Sequence, residues 1–275
     1  MQLNVNVASL KYISRYAGDW AVCVACQIYV FTIGLRTKPF LREFNIEDPS
    51  IQHPFTEHEQ VTDWQCLIIT TFIPGFILFL NFLSRINFSP RRLTQKEIHF
   101  THISGLGLIL SVTITGLMTV IVKNWISRPR PDFLARCVPD TSLLVPGKTT
   151  YTTDICTGTT SVILEGLRST PSGHSSLAFS GLHYITLWMC VQFEVFASQF
   201  HIWKMLACTA PEWVAIWIAL SRTQDYRHHF GDILMGGLLG VVVSHLMYKK
   251  MFTGKDPTYL QETEPTLPMY NTIED

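Results

Sequence analysis

Ser221-Arg222-Thr223-Gln224-Asp225-Tyr226-Arg227-His228-His229-Phe230-Gly231-Asp232 sets two arginines, two histidines and two aspartates between two apolar segments. Charge at a membrane boundary is expensive, so it calls for partners or a purpose. His228 and Asp232 are four residues apart, which on a helix puts them on one face, one turn apart. A carboxylate so placed can hold an imidazole in one tautomer and stabilise its cation. Two further clusters supply what such an imidazole could act on. Lys123, Arg130 and Arg222 are cations suited to a phosphoryl group, the arginines with fork-shaped donors. Pro171-Ser172-Gly173-His174 opens a helix, where free N–H groups and the dipole favour an anion. Gly173 allows close backbone approach and Ser172 adds a hydroxyl donor. Two histidines then remain for chemistry, one to attack phosphorus and one to protonate the leaving oxygen. Asp232 fits an orienting role.

These residues need a frame, and composition says what kind. The 275-residue chain is 47% hydrophobic and 15% charged, with zero net charge. A soluble domain carries about 25% charged residues. The apolar residues gather in runs near the ~20 residues that a bilayer-spanning helix needs. The fold class expected is all-α integral membrane, with six transmembrane helices near residues 20–35, 65–83 (kinked at Pro74), 98–122, 175–193, 203–220 and 232–248. Residues 1–18 read as a cytoplasmic N-terminal segment and 19–250 as one membrane domain, its three clusters within 123–232. Residues 251–275, rich in Pro, Thr and acid, read as a disordered cytoplasmic tail. No internal repeat is evident, and zero net charge gives no electrostatic case for a nucleic-acid partner. The first eighteen residues lack a signal peptide's pattern, so insertion is expected to rely on the first membrane helix.

Lys and Arg in short loops set orientation. The loop from Arg85 to Lys96 and the Lys249-Lys250 pair share a side with the N-terminus, which places both termini in the cytoplasm. The long connection 123–174 breaks the rule, with Lys123, Arg128, Arg130, Arg136, Lys148 and Arg168 opposite, as charges that serve a site rather than topology. Lys123 ends the third span, His174 begins the fourth, Arg222 ends the fifth and His228 begins the sixth. All therefore reach one membrane surface, whichever way the chain is inserted.

With the clusters on one face, the chain resembles a known family. Lys123-x6-Arg130-Pro131, Pro171-Ser172-Gly173-His174 and Ser221-Arg222-x5-His228-x3-Asp232 look like the three-part signature of the type 2 phosphatidic acid phosphatase superfamily, which includes lipid phosphate phosphatases and shares its site with vanadium haloperoxidases. Lys123-Asn124-Trp125-Ile126, Arg130-Pro131-Asp132-Phe133-Leu134 and residues 221–230 further resemble its fungal diacylglycerol pyrophosphate phosphatase branch. The resemblance implies phosphate binding by Lys123, Arg130, Ser172, Gly173 and Arg222. It implies His228 as a nucleophile forming a phosphohistidine, His174 as general acid, and Asp232 paired with His228 to orient it. It implies no metal or other cofactor, and a lipid phosphate substrate in the bilayer, diacylglycerol pyrophosphate first and phosphatidate second. Isoprenyl or dolichyl diphosphates and sphingoid-base phosphates are rival substrates. A silent lipid- or anion-binding membrane protein is the non-enzyme rival, against which the intact His228, His174 and Arg222 argue. The site is expected on the non-cytoplasmic face of a vacuolar or other endomembrane; nothing in the sequence sets the oligomeric state.

Other polar residues carry plainer readings. Arg128 and His229 lie outside the signature and read as neighbours of the site. His99, His102, His183, His201 and His245 read as packing or interfacial residues. Glu212, after Pro211 inside the fifth helix, is left open between a protonated, a paired and a functional carboxylate. Gly236 and Gly240 make a small-xxx-small packing face. Most of the seven cysteines read as apolar filler. Cys137 and Cys156 share the non-cytoplasmic connection, where a disulfide can form; the sequence leaves their pairing open.

Overall fold

The computed structural model describes residues 7–88, 95–196 and 201–252. The expected tail from 253 on, and Arg91 and Arg92 of the basic loop, lie outside the described residues. In chain order, α1 covers residues 7–34, an α-helix that ends in a π-helical turn. It begins at Val7, well before the expected membrane entry. β1 (Phe44–Asn45) follows, then α2 over residues 63–88 and α3 (Gln95–Ile126). The long connection holds the short helices α4 (Phe133–Cys137) and α5 (Thr160–Gly166), with β2 (Thr150–Tyr151) between them. α6 covers residues 173–192, α7 is Ile202–Gln224 and α8 is Phe230–Met251.

Among the described residues, Ser14–Gly34, Asp63–Arg85, Glu97–Ile126 and Phe230–Met251 are long and apolar enough to cross a membrane. Composition therefore supports four of the six expected spans. α6 and α7 form as expected but are more polar, because α6 carries His174, Ser175, Ser176, Ser180 and His183, and α7 carries Lys204, Glu212 and Arg222. α7 still turns Trp213 and Trp217 outward, as α8 does Leu234 and Leu238.

Local chemistry explains how the helices start and meet. Thr62 caps α2 in a capping box: Gln65 N–H donates to Thr62 Oγ1 at 3.3 Å, and Thr62 N–H donates to Gln65 Oε1 at 2.8 Å. Pro74 cannot donate to the Thr70 carbonyl, and the helix there widens into a π-helical turn, Ile68–Phe72. α6 lies directly on that carbonyl. A Cβ at Gly181 would sit 1.7 Å from Thr70 O, so only glycine permits the crossing. Gly236 and Gly240 of α8 pack as expected, since a Cβ at either would stand 2.5 Å from Ser172 O or 2.4 Å from Ser176 O. This contact fixes the start of α6 against the start of α8. Glu212 is paired across the bundle, its Oε2 3.0 Å from His183 Nδ1.

At the end where α3 finishes and α6 starts, the two connections fold into a cap. β1 and β2 pair antiparallel with Phe44 opposite Tyr151, a small departure from the all-α expectation. Phe44, Phe133, Tyr151, Ile163 and Leu167 form its core. Cys137 and Cys156 are joined, closing a loop of sequence separation 19. A crosslink over a loop of that size contributes about 3 kcal/mol by restricting the unfolded chain.

Candidate active site

The cap and the helix ends bring the signature residues together. Lys123, in the last turn of α3, donates from Nζ to Arg168 O at 2.8 Å. Arg130 is buried, with its N–H on Gly166 O and its Nη2 2.5 Å from Glu165 Oε1. Ser172 caps α6 by accepting from Ser175 N–H, and its own N–H donates to the Asp232 carbonyl at 2.9 Å. A Cβ at Gly173 would lie 3.7 Å from Lys123 Cε, so the opening of α6 faces the Lys123 side chain. Arg222, at the end of α7, is fully buried. Its Nη2 meets Asp225 Oδ2 and its Nη1 meets Glu59 Oε2, each at 2.7 Å.

From there the chain turns back on itself. Tyr226 takes a left-handed conformation at φ 53°, and the N–H groups of Arg227 and His228 both return to the Arg222 carbonyl. Tyr226 is held by stacking on His53 at 4.4 Å. This turn buries His228, whose Nδ1 lies 2.7 Å from Ser169 O. A carbonyl only accepts, so Nδ1 carries the proton and Nε2 carries the lone pair. His174 is held the opposite way: Nε2 donates to Val61 O at 3.1 Å, which leaves the lone pair on Nδ1.

The expected pairing of Asp232 with His228 is not what the structure shows. α8 begins at Phe230, so His228 precedes the helix and shares no helical face with Asp232. The Asp232 carboxylate instead accepts from Ser169 Oγ at 2.5 Å, from Thr170 Oγ1, from His229 N–H and Nδ1, and from Arg128 Nη1. It grips the residue whose carbonyl grips His228. Arg128 and His229, read from sequence as neighbours, both bind Asp232 directly.

Sequence reasoning missed the connection between α1 and α2. Residues 36–62 run across the mouth of the site as a strap. His53 N–H donates to Pro131 O, Gln60 N–H to Asp225 Oδ2, and Val61 supplies the carbonyl for His174. Glu59 bridges Arg222 and Arg227, while Phe55 lies under the guanidiniums of Arg136 and Arg227. Glu165, on α5, was missed as well. The available signal was modest: Glu57 and Glu59 lie between prolines, on the membrane side where the cations gather.

The profile described as the PAP2 superfamily matches residues 104–256, which contain all three clusters. The chain belongs to the PAP2 superfamily. It is 36% identical over 238 residues to the "Probable diacylglycerol pyrophosphate phosphatase 1" of Schizosaccharomyces pombe, covering 86% of this chain and 82% of that protein. It is 38% identical over 217 residues to "Diacylglycerol pyrophosphate phosphatase 1" of Saccharomyces cerevisiae, covering 78% and 72%. "Lipid phosphate phosphatase 2" of Arabidopsis thaliana is 30% identical over 236 residues, covering 85% and 76%. No solved structure matches the chain.

Electrostatics at this PAP2 site favour neutral histidines. Burial, then Lys123, Arg130 and His174, hold His228 well below the ordinary imidazole pKa, against the opposing pull of its Ser169 bond. Burial and Arg222 push His174 down to about 4. Glu165 is held below the ordinary carboxylate range, because Arg130, Lys123 and Arg168 outweigh its partial desolvation and keep it ionised. Because both histidine pKa values are depressed by folding, the unfolded chain binds protons first as pH falls. Their contribution to stability is complete above about pH 6.5 and is lost on going down towards pH 4, by up to about 1.4 kcal/mol per pH unit per histidine. Thermal unfolding in detergent is expected to show a lower midpoint near pH 5 than near pH 7.5, and His228→Gln is expected to flatten that dependence.

Proposed function

We propose that this chain is a six-span membrane phosphatase that hydrolyses diacylglycerol pyrophosphate to phosphatidate, and phosphatidate to diacylglycerol. The observation that carries the reading is His228: its Nδ1–H is engaged by Ser169 O, which leaves Nε2 unprotonated among Lys123, Arg130 and His174. The named activities of the fungal relatives favour the diphosphate substrate.

In this reading Lys123, Arg130, Arg222, the Ser172 hydroxyl and the Gly173 N–H take the terminal phosphoryl oxygens. The bound dianion raises the pKa of His174, which then picks up a proton on Nδ1. His228 Nε2 attacks phosphorus, the bond to the leaving oxygen breaks, and His174 gives that oxygen its proton. Water then attacks the phosphohistidine, His174 takes the water's proton, and phosphate leaves with His228 restored. The cations stabilise the charge that builds on the equatorial oxygens.

The disulfide in the cap supports a mouth facing an oxidising, non-cytoplasmic compartment, a vacuole or another endomembrane, with both termini in the cytoplasm. In the same reading residues 19–250 are the membrane domain, 1–18 the N-terminal segment and 251–275 the tail. Purified protein is expected to release phosphate from diacylglycerol pyrophosphate in mixed micelles with EDTA present. Activity that disappears in EDTA and returns with a divalent cation would point to a metal mechanism and remove this one.

A further inference from the structure

Each arginine that the site offers to a phosphate is already held by a carboxylate. Glu59 places Oε2 2.7 Å from Arg222 Nη1 and Oε1 2.9 Å from Arg227 Nη2. Glu165 places Oε1 2.5 Å from Arg130 Nη2 and Oε2 3.1 Å from Arg168 Nη1. Each glutamate therefore bridges two guanidiniums, and neither belongs to the three signature blocks. Their settings differ from those of Asp132 and Asp225, which are buried together with their arginine partners, and of Asp232, whose own carboxylate is fully buried. Glu59 keeps 27% and Glu165 43% of its side chain exposed, while Arg222 and Arg130 are 1% and 10% exposed. The arginines are fixed and the glutamates have water beside them into which to swing. Arg130 also keeps a buried Nε with no partner among the described residues, a donor left over for an incoming group.

We infer that Glu59 and Glu165 are displaceable counter-ions that select doubly charged phosphoryl groups, monoesters and terminal diphosphates, over singly charged phosphodiesters. The inference rests on reading Arg130 and Arg222 as phosphate ligands. A diester oxygen that replaces a carboxylate exchanges one single charge for another, and the carboxylate is tethered beside its arginine at high effective concentration. That exchange gains little. A dianion brings roughly twice the Coulomb attraction to the same fixed cations and can drive the glutamates outward. The distinction matters in a bilayer, because the headgroups surrounding the protein are overwhelmingly diesters. Without resident carboxylates, a buried cluster of arginines at the bilayer surface would bind its own solvent.

Methyl phosphate and dimethyl phosphate test this, since they are similar in size and differ in charge. Their dissociation constants are measured by calorimetry on the full-length protein in detergent. The wild type is expected to bind methyl phosphate about 100-fold more tightly than dimethyl phosphate. In Glu59→Gln and Glu165→Gln the dimethyl phosphate constant is expected to fall about tenfold, narrowing the ratio. Glu59→Asp and Glu165→Asp, which keep the charge, are expected to hold the wild-type ratio. A ratio unchanged in both Gln variants overturns the inference. So does a Gln variant that fails to fold while its Asp counterpart folds, which would make the carboxylate structural. If methyl phosphate does not bind the wild type at all, the phosphate reading of the site fails instead.

Discussion

His228→Ala is expected to lower phosphate release by roughly 10⁴-fold or more while leaving the protein folded. The size follows from the role: if Nε2 forms the covalent bond to phosphorus and His174 serves the leaving group, no neighbour replaces it, because His174 is held by Val61 O. The tolerance follows from the contacts. Among the described residues the imidazole makes one hydrogen bond, to Ser169 O, and losing it leaves a single buried carbonyl unsatisfied, which costs about 1–3 kcal/mol. The check is twofold: yield and melting temperature close to wild type, and no radiolabel retained on protein quenched during turnover. Turnover near the wild-type level would remove the nucleophile assignment.

The helices and the convergence of the three clusters were legible because both depend on local sequence. Apolar runs mark the bundle, and the parity of crossings puts Lys123, His174, Arg222 and His228 at one end. Gly236 and Gly240 announced their own contact. What was not legible depends on the cap. Glu59 reaches Arg222 from 163 residues away, and contacts such as the two-residue pairing of Phe44 with Tyr151 and the bond from His53 to Pro131 bring the strap across the mouth. Nothing in a run of mixed polar residues reports such a path. Glu165 is similar, set on a short helix of about two turns whose position depends on packing Ile163 and Leu167 against Phe133. The Asp232 assignment went astray for a more local reason. Spacing of four implies a shared face only inside a helix, and here the left-handed Tyr226 ends the preceding turn and the helix starts two residues after His228.

That relocation of Asp232 makes a prediction that the direct pairing does not. Asp232→Asn is expected to destabilise the protein by about 3 kcal/mol and to lower kcat/KM by roughly 10²-fold or more. The carboxylate is fully buried and receives donors only: two hydroxyls, the His229 N–H and Nδ1, and Arg128. An amide turns one of its two acceptors into a donor facing those donors. The Arg128 part is discounted because that side chain is 44% exposed and screened by water, so most of the loss falls on the hydroxyls of Ser169 and Thr170. Activity falls because Ser169 is then freed to move, and its carbonyl sets the direction in which His228 Nε2 points. Ser169→Ala separates the two accounts. It deletes the Oγ that Asp232 holds but keeps the carbonyl that His228 needs. If Asp232 acts through Ser169, Ser169→Ala shares much of the kinetic loss, and the double variant is little worse than Asp232→Asn alone. If Asp232 acts on the imidazole itself, Ser169→Ala is close to wild type and the two losses add. Steady-state kinetics of the three variants, read beside their melting temperatures, decide between a carboxylate that touches the nucleophile and one that holds the residue which does.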